Sequence, residues 1–423
     1  MSKGRDLVQK ALQHKPLDRV PVDFGSSPTT GIHCSIVEKL REYYGLEKRP
    51  VKVHEPFQML GVVEEDLIDA IGVDTEGVAG LNTFFGFPNE NWKPFTTLWG
   101  QEVLVPEKFN VKKDENGDLL IYPGGDTSAE PSARMPNNGV FFDAIIRQEP
   151  IDEENLDPED NLEEFGPISE EELNHYKREV ARAKATGRAV VAVIGGAGLG
   201  DIALVPAPFM SNPKGIRDVT EWYVSTVTRQ EYLHTVFSKQ TDYAVENFKT
   251  LYEAVGNDID VAFICGTDFG TQTSTFCSPD TFKELYMPYY KKMTGWIHEH
   301  TEWKVFKHSC GAVFDFIPLF IEAGFDILNP VQLSAAGMDA EELKKQFGDK
   351  IVFWGGGVDT QKTLPFGTPE EVRKEVTTRL EILSKDSGYV FNTIHNVQAK
   401  TPIENLAAMF DAVHEFNGDK KTG

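Results

Sequence analysis

The stretch KVFKHSCGAVFDFIPLFIEAGFDILNP, residues 304–330, decides the fold. It opens on a short β-branched and aromatic run at 304–307, turns through His308-Ser309-Cys310-Gly311, continues as an apolar segment that stops at Gly324, and ends on a second short run at 326–328. Runs this short and this apolar suit strands buried on both faces, and a glycine after an apolar segment suits a helix C-cap. A strand, a helix and a strand in that order require parallel pairing, because the helix returns the chain to the same end of the sheet.

Outward from this unit the pattern repeats. Further short runs stand at 190–194, 261–265, 351–354 and 389–393. Between them lie helix starts: Thr368-Pro369-Glu370-Glu371 and Thr401-Pro402-Ile403-Glu404 each offer a Thr cap, Pro at the first helical position and Glu at the third, and Asp339 with Glu342 is a weaker version. Val372, Val376, Leu380 and Leu383 share one helical face, as do Leu406, Phe410 and Val413, while Gly348 and Gly418 stand where C-caps are needed. With 19–24 as an early strand, the expected fold is α/β, an eight-stranded TIM-like (β/α) barrel, with a doubly wound open sheet as the structural alternative.

The rhythm breaks over 73–144, read as a hairpin-containing insertion or lid in the N-terminal half of a single domain spanning 1–423. Asp114-Glu115-Asn116-Gly117 is a hairpin signal, flanked by candidate arms at 101–106 and 118–123. The segment 149–172 holds twelve acidic residues and no Lys or Arg, and reads as a solvated linker within the domain.

Composition excludes several classes of partner. Lys and Arg number 42 against 66 Asp and Glu, a net charge of −24, which repels nucleic acid and demands a special pocket for any anion. Four cysteines in 423 residues make no disulfide framework, and residues 1–15 lack the apolar core of a signal peptide, so a cytoplasmic protein is expected. The apolar stretch 189–213, whose only charge is Asp201, contains too many glycines and prolines for a membrane helix.

In a parallel barrel the C-terminal strand ends share one face, so that side chains distant in sequence converge there. At the predicted ends stand Asp23, Gly195, Gly196, Asp268, His308 with Cys310, Asn329 with Gln332, Trp354 and His395. His308 and Cys310, alternate residues at a strand end, can aim an imidazole and a thiolate at one point, a pair that zinc accepts. The plainer reading is a buried Cys beside a hydrogen-bonded His. His395 is the candidate third ligand, with Cys265 and Asp268 as competitors; otherwise it bonds the helix start at Thr401-Pro402. Asp268, in Gly266-Thr267-Asp268-Phe269-Gly270, can orient a ligand, bind the metal, act as a base or cap its own loop. Asp23 lies between Val22 and Phe24, where an unpaired buried carboxylate would be costly, so it is either hydrogen-bonded structure or part of the site. Asp23 and Asp268 are thus the catalytic candidates, and Asn329, Gln332 and Trp354 the cofactor-binding ones. Gly195 to Gly200 lacks the Lys and Ser/Thr of a phosphate loop. The aromatics from Phe84 to Trp99, with Phe141 and Phe142, read as a small core for the insertion and in part as an apolar wall for a flat or methylated ligand.

Four segments carry a family resemblance: His308-Ser309-Cys310-Gly311; 323–332 (AGFDILNPVQ); 353–361 (FWGGGVDTQ); and 367–372 (GTPEEV). With them the chain resembles the uroporphyrinogen decarboxylase superfamily, closest to its corrinoid-linked methyltransferase branch, over about 261–416 and again at 19–25. The resemblance implies a (β/α) barrel and a zinc-dependent transfer of methyl between a small methylated substrate or a thiol and the cobalt of a corrinoid. In that branch a His-x-Cys pair and a later Cys hold zinc. His308 and Cys310 match the pair, and the later position falls on His395, where this chain carries His in place of Cys. The implied cofactors are zinc and a corrinoid on a separate partner protein, with the insertion keeping water out; homodimerisation is a family-level expectation. True uroporphyrinogen decarboxylases carry an N-terminal arginine-rich clamp, whereas only Arg19 and Arg41 stand nearby here. A decarboxylase is the alternative reading, and a non-catalytic corrinoid- or tetrapyrrole-binding barrel is a third. Methoxylated aromatics, methanol, methylamines and methyl thioethers are all open as donors.

Overall fold

Seven parallel strands form one continuous sheet in the computed structural model of the chain, which describes residues 4–418. The ends of the expected single domain, 1–3 and 419–423, lie outside the described residues. The strands are neighbours in chain order: Thr75–Val78, Ala189–Val193, Val261–Cys265, Lys304–His308, Ile327–Asn329, Val352–Trp354 and Tyr389–Val390. Most are short and largely apolar, as strands covered on both faces must be, while Thr75–Val78 and Lys304–His308 also carry charged side chains.

The segment 20–24 closes the ring. Asp23 N donates to Phe391 O at 2.9 Å and Phe391 N to Pro21 O at 2.8 Å on one side, and Asp74 N donates to Val22 O at 2.8 Å on the other. The eighth position is held by a few bonds and not by a regular strand, because Pro21 has no N–H to give. Closure removes the doubly wound alternative. Side chains two apart point inward, including Val191, Val261, Phe263 and Trp354, and Val8, Ala11 and Leu12 of the N-terminal helix Gly4–Leu12 join that interior cluster.

Helix starts are largely as read. Thr368 makes a full capping box with Glu371, and Asp339 Oδ1 accepts Glu342 N at 3.0 Å. Thr401 differs: its helix begins at Ile403, and its hydroxyl donates to Gln398 O at 2.8 Å, closing the preceding turn.

The excursion between the first two sheet strands corrects two boundaries. Residues 75–78 of the expected 73–144 insertion are a barrel strand, so the insertion starts after them. The hairpin at Asn116-Gly117 forms, but its first arm is Val111–Lys113, paired with Leu119–Ile121. The expected arm at 101–106 contains Glu102–Val105, which pairs with Lys93–Thr96 and Val51–Glu55 instead. A tight turn sets register with the residues immediately beside it, and Pro106 separates the two segments. The acidic segment 149–172 is anchored, not merely solvated. Arg217, with 1 % of its side chain exposed, pairs with Glu164 at 2.8 Å, and Arg229 binds Glu153. Among the described residues no helix is long and apolar enough to cross a membrane.

Candidate metal centre

Two glycine-bearing loops meet at the C-terminal rim. Gly311 has φ +92°, and a Cβ there would lie 2.2 Å from the Gly270 carbonyl carbon. The loops after strands Val261–Cys265 and Lys304–His308 can therefore interlock only backbone to backbone. The contact draws Asp268 onto the corner: Cys310 N donates to Asp268 Oδ1 at 2.6 Å, and Phe269 N to Ser309 Oγ at 2.9 Å. Gln332 Oε1 accepts Gly311 N at 2.7 Å from the opposite side.

His308 ends its strand with its ring buried. Nδ1 lies 2.6 Å from Asn329 Oδ1, while Asn329 Nδ2 donates to Trp354 O at 2.9 Å. The amide oxygen therefore faces the ring, Nδ1 carries the proton and Nε2 presents its lone pair. That nitrogen is 3.4 Å from Cys310 Sγ and 3.9 Å from Asp268 Oδ1. His395, carried past the last strand, sets its ring 5.4 Å from that of His308 at 74°. One donor atom from each of His308, Cys310 and His395 lies within 4.8 Å of the other two.

Burial decides the protonation states. It pushes both His308 and His395 down to about 4, so both imidazoles are neutral at pH 7. Burial also raises the Cys310 thiol well above its usual range, with the Asp268 carboxyl adding to the effect. Asp268 itself is raised by burial, against the Cys310 N–H and Lys307.

The other candidates sit behind this group or away from it. Asn329 and Gln332 act through hydrogen bonds to His308 and Gly311. Asp23, fully buried, accepts Thr75 Oγ1 at 2.7 Å and Trp354 Nε1 at 2.8 Å, so Asp23 and Trp354 pair inside the barrel, with the indole against Phe306. Cys265 faces Tyr290 OH at 3.1 Å in the core. Two residues were missed as site groups. Lys307, wholly buried, donates to Thr267 O and to His308 O and lies over the Phe269 ring. Asp201 lines the same cavity as His308. Asp201 was legible only as the lone charge of the apolar stretch 189–213, and Lys307 only as a cation within a predicted strand.

That cavity has a volume of about 740 Å³. Its walls include Phe57, Phe84, Phe141, Phe142 and Phe263, and its ionisable groups are Asp143, Asp201, Asp268, His308 and His395. Among the described residues lining it there is no Lys or Arg. Phe84, Phe141 and Phe142 thus supply the expected wall, while Phe85 and Phe87 are buried in the core.

A closed parallel barrel with a His, Cys and His cluster at its C-terminal rim defines the class. The family model for uroporphyrinogen decarboxylase (URO-D) matches residues 138–416, and the chain belongs to that family. The uroporphyrinogen decarboxylase of Psychromonas ingrahamii is 24% identical over 265 residues, 61% of this chain and 68% of that protein. That of Pseudoalteromonas translucida is 33% identical over 94 residues, 20% and 26% of the two chains. Among solved structures, a methyltransferase from Methanosarcina mazei superposes with a TM-score of 0.54 at 16% identity, covering 98% of this chain and 99% of that one. At that identity the likeness is one of fold.

Proposed function

We propose that this chain is a zinc-dependent methyltransferase that moves a methyl group between a small methylated substrate or thiol and the cobalt of a corrinoid on a separate protein. The observation that carries the reading is the convergence of His308, Cys310 and His395, two of which, His308 and His395, line an apolar cavity. The donor set suits zinc: His308 Nε2 and Cys310 Sγ, 3.4 Å apart, have close to the spacing, roughly 3.6 Å, of an N and an S donor on one tetrahedral ion. Two neutral imidazoles, a thiolate and the adjacent Asp268 carboxylate would balance a dication, which would also favour the thiolate that burial alone opposes.

When bound, zinc supplies Lewis-acid polarisation of a methoxyl or thiol, and the corrinoid supplies the methyl-carrying cobalt. The chain's own residues do the rest. Asn329 holds the His308 ring with Nε2 outward, Asp268 fixes the Cys310 backbone through its N–H, and the phenylalanine walls keep water from the reacting groups. The decarboxylase alternative is less well supported, because a substrate bearing several carboxylates needs cations where this cavity presents carboxyls.

Metal analysis of the purified protein with His308→Ala and Cys310→Ser variants tests the reading. About one zinc per chain is expected in the wild type, with loss in both variants while circular dichroism shows the fold retained. A wild type without zinc after zinc-supplemented growth removes the mechanism. A zinc-loaded protein that moves no methyl from any donor to a corrinoid acceptor favours the non-catalytic barrel.

A further inference from the structure

Asp201 is, with Asp143, one of two cavity carboxyls that the centre does not use. It follows the strand Ala189–Val193 on an irregular loop, and it lines the cavity that His308, His395 and Asp268 also line. The loop is built to bring it close. A Cβ on Gly266 would lie 2.4 Å from Asp201 Oδ2, so that carboxyl oxygen occupies space that only a glycine leaves free. Oδ1 accepts Ala203 N at 3.0 Å, which orients the group. Among the described residues no Lys or Arg forms an ion pair with it within 4.0 Å.

We propose that Asp201 is the catalytic acid of this site, and that the substrate class is a methyl ether on a flat, uncharged, apolar body. The inference rests on the methyltransferase reading above. A methyl bound to oxygen has a poor leaving group and gains from a proton delivered to that oxygen, whereas a thioether or a quaternary ammonium does not need one. The phenylalanine walls accept a ring face, and the absence of Lys and Arg from the described lining disfavours an anionic substrate. In the step, the methyl–oxygen bond breaks with its electron pair left on oxygen, and Asp201 gives that oxygen its proton and becomes carboxylate. The methyl passes to a corrinoid cobalt(I), which supplies the new bonding pair, and Asp201 recovers a proton from solvent.

The surroundings let the group carry a proton near neutrality. Burial raises Asp201 to about 6, the Asp268 carboxyl adds to this, and the Ala203 N–H and Lys307 oppose it. The Tyr223 phenol, from the helix Val219–Thr228, is a further titratable neighbour, and the Asp143 carboxyl lines the same cavity.

The test uses the zinc-loaded protein with cob(I)alamin as acceptor and 4-methylanisole and 4-nitroanisole as donors. Asp201→Asn should transfer methyl from 4-methylanisole about 100-fold more slowly, and from 4-nitroanisole, whose phenol leaves unaided, within about tenfold of wild type. Gly266→Ala, which displaces the carboxyl without removing it, should show the same selectivity, and zinc content should not change in either. Calorimetry supplies a readout independent of turnover: p-cresol should bind Asp201→Ala about tenfold more weakly than wild type, with 4-methylanisole binding altered less than threefold. Equal losses with both anisoles, or full activity in Asp201→Asn, overturns the role of Asp201. A zinc-loaded wild type that methylates cobalamin only from a thioether or methylamine overturns the substrate class but leaves the methyltransferase reading standing. Absence of zinc and of all methyl transfer sinks that parent reading, and the p-cresol measurement then decides by itself whether Asp201 meets the ligand oxygen.

Discussion

Asn329 binds His308 and Trp354 through the two ends of one amide: Oδ1 lies 2.6 Å from His308 Nδ1, and Nδ2 donates to Trp354 O at 2.9 Å. Neither end can turn without breaking both contacts, so the ring of the first proposed ligand is set by a residue one strand away. Asn329→Leu keeps the volume and removes both bonds. Zinc affinity, read by competition with a chelator, should fall by about 10- to 100-fold. Unchanged affinity would mean that packing alone holds the ring.

Trp354→Phe tests whether Asp23 and Trp354 serve the structure or the site. The indole N–H, with the Thr75 hydroxyl, donates to a fully buried carboxyl. Its loss should cost about 1–3 kcal/mol in urea unfolding and leave zinc content unchanged. A variant of normal stability that no longer binds zinc or transfers methyl would place Trp354 at the ligand.

His33 gives a pH signature away from the centre. Buried with Nε2 on Val140 O at 3.0 Å, it is held at about 4 by desolvation, against an ordinary value of 6.5. Between those values the unfolded chain binds a proton that the folded chain refuses. Its contribution is therefore complete above pH 6.5, shrinks as pH falls at about 1.4 kcal/mol per unit, and is gone below about 4. Glu55, which burial raises to about 7, works in the opposite direction but is shared by wild type and variant. The stability difference between wild type and His33→Gln should thus shrink by about 2 kcal/mol from pH 7 to pH 5; a constant difference contradicts it.

Gly311→Ala should be among the most damaging single changes. A methyl at φ +92° adds about 1–3 kcal/mol of strain and would also overlap the Gly270 backbone. We expect a loss of at least about 3 kcal/mol in stability, or insoluble protein, together with zinc release from any folded fraction. A soluble variant with wild-type melting and zinc content would show that the two loops can separate freely.

The repeating scaffold was legible because each element answers to a local rule. Short apolar runs in the second half became sheet strands, and Thr368 and Asp339 cap helices through neighbours three residues away. The hairpin turn at Asn116-Gly117 was legible for the same reason, but its arms were not. Which strand Glu102–Val105 joins depends on the distant Val51–Glu55, and no local pattern encodes that. In the centre, His308 and Cys310 announce themselves two positions apart. The roles of Asn329 behind the ring and of Asp201 across the cavity depend on interlocked loops from several strands.

Local periodicity and capping chemistry in the chain alone were enough to specify parallel strands with covering helices, and the residue types at the strand ends were enough to name His308, Cys310 and His395 as candidate donors. Closure of the ring through residues 20–24, the arrival of His395 beside His308, the pairing of Asp23 with Trp354 and the aim of Asp201 into the cavity were decided only in three dimensions. Each joins residues tens to hundreds of positions apart, and such contacts are set by how the whole barrel packs, not by any spacing along the chain.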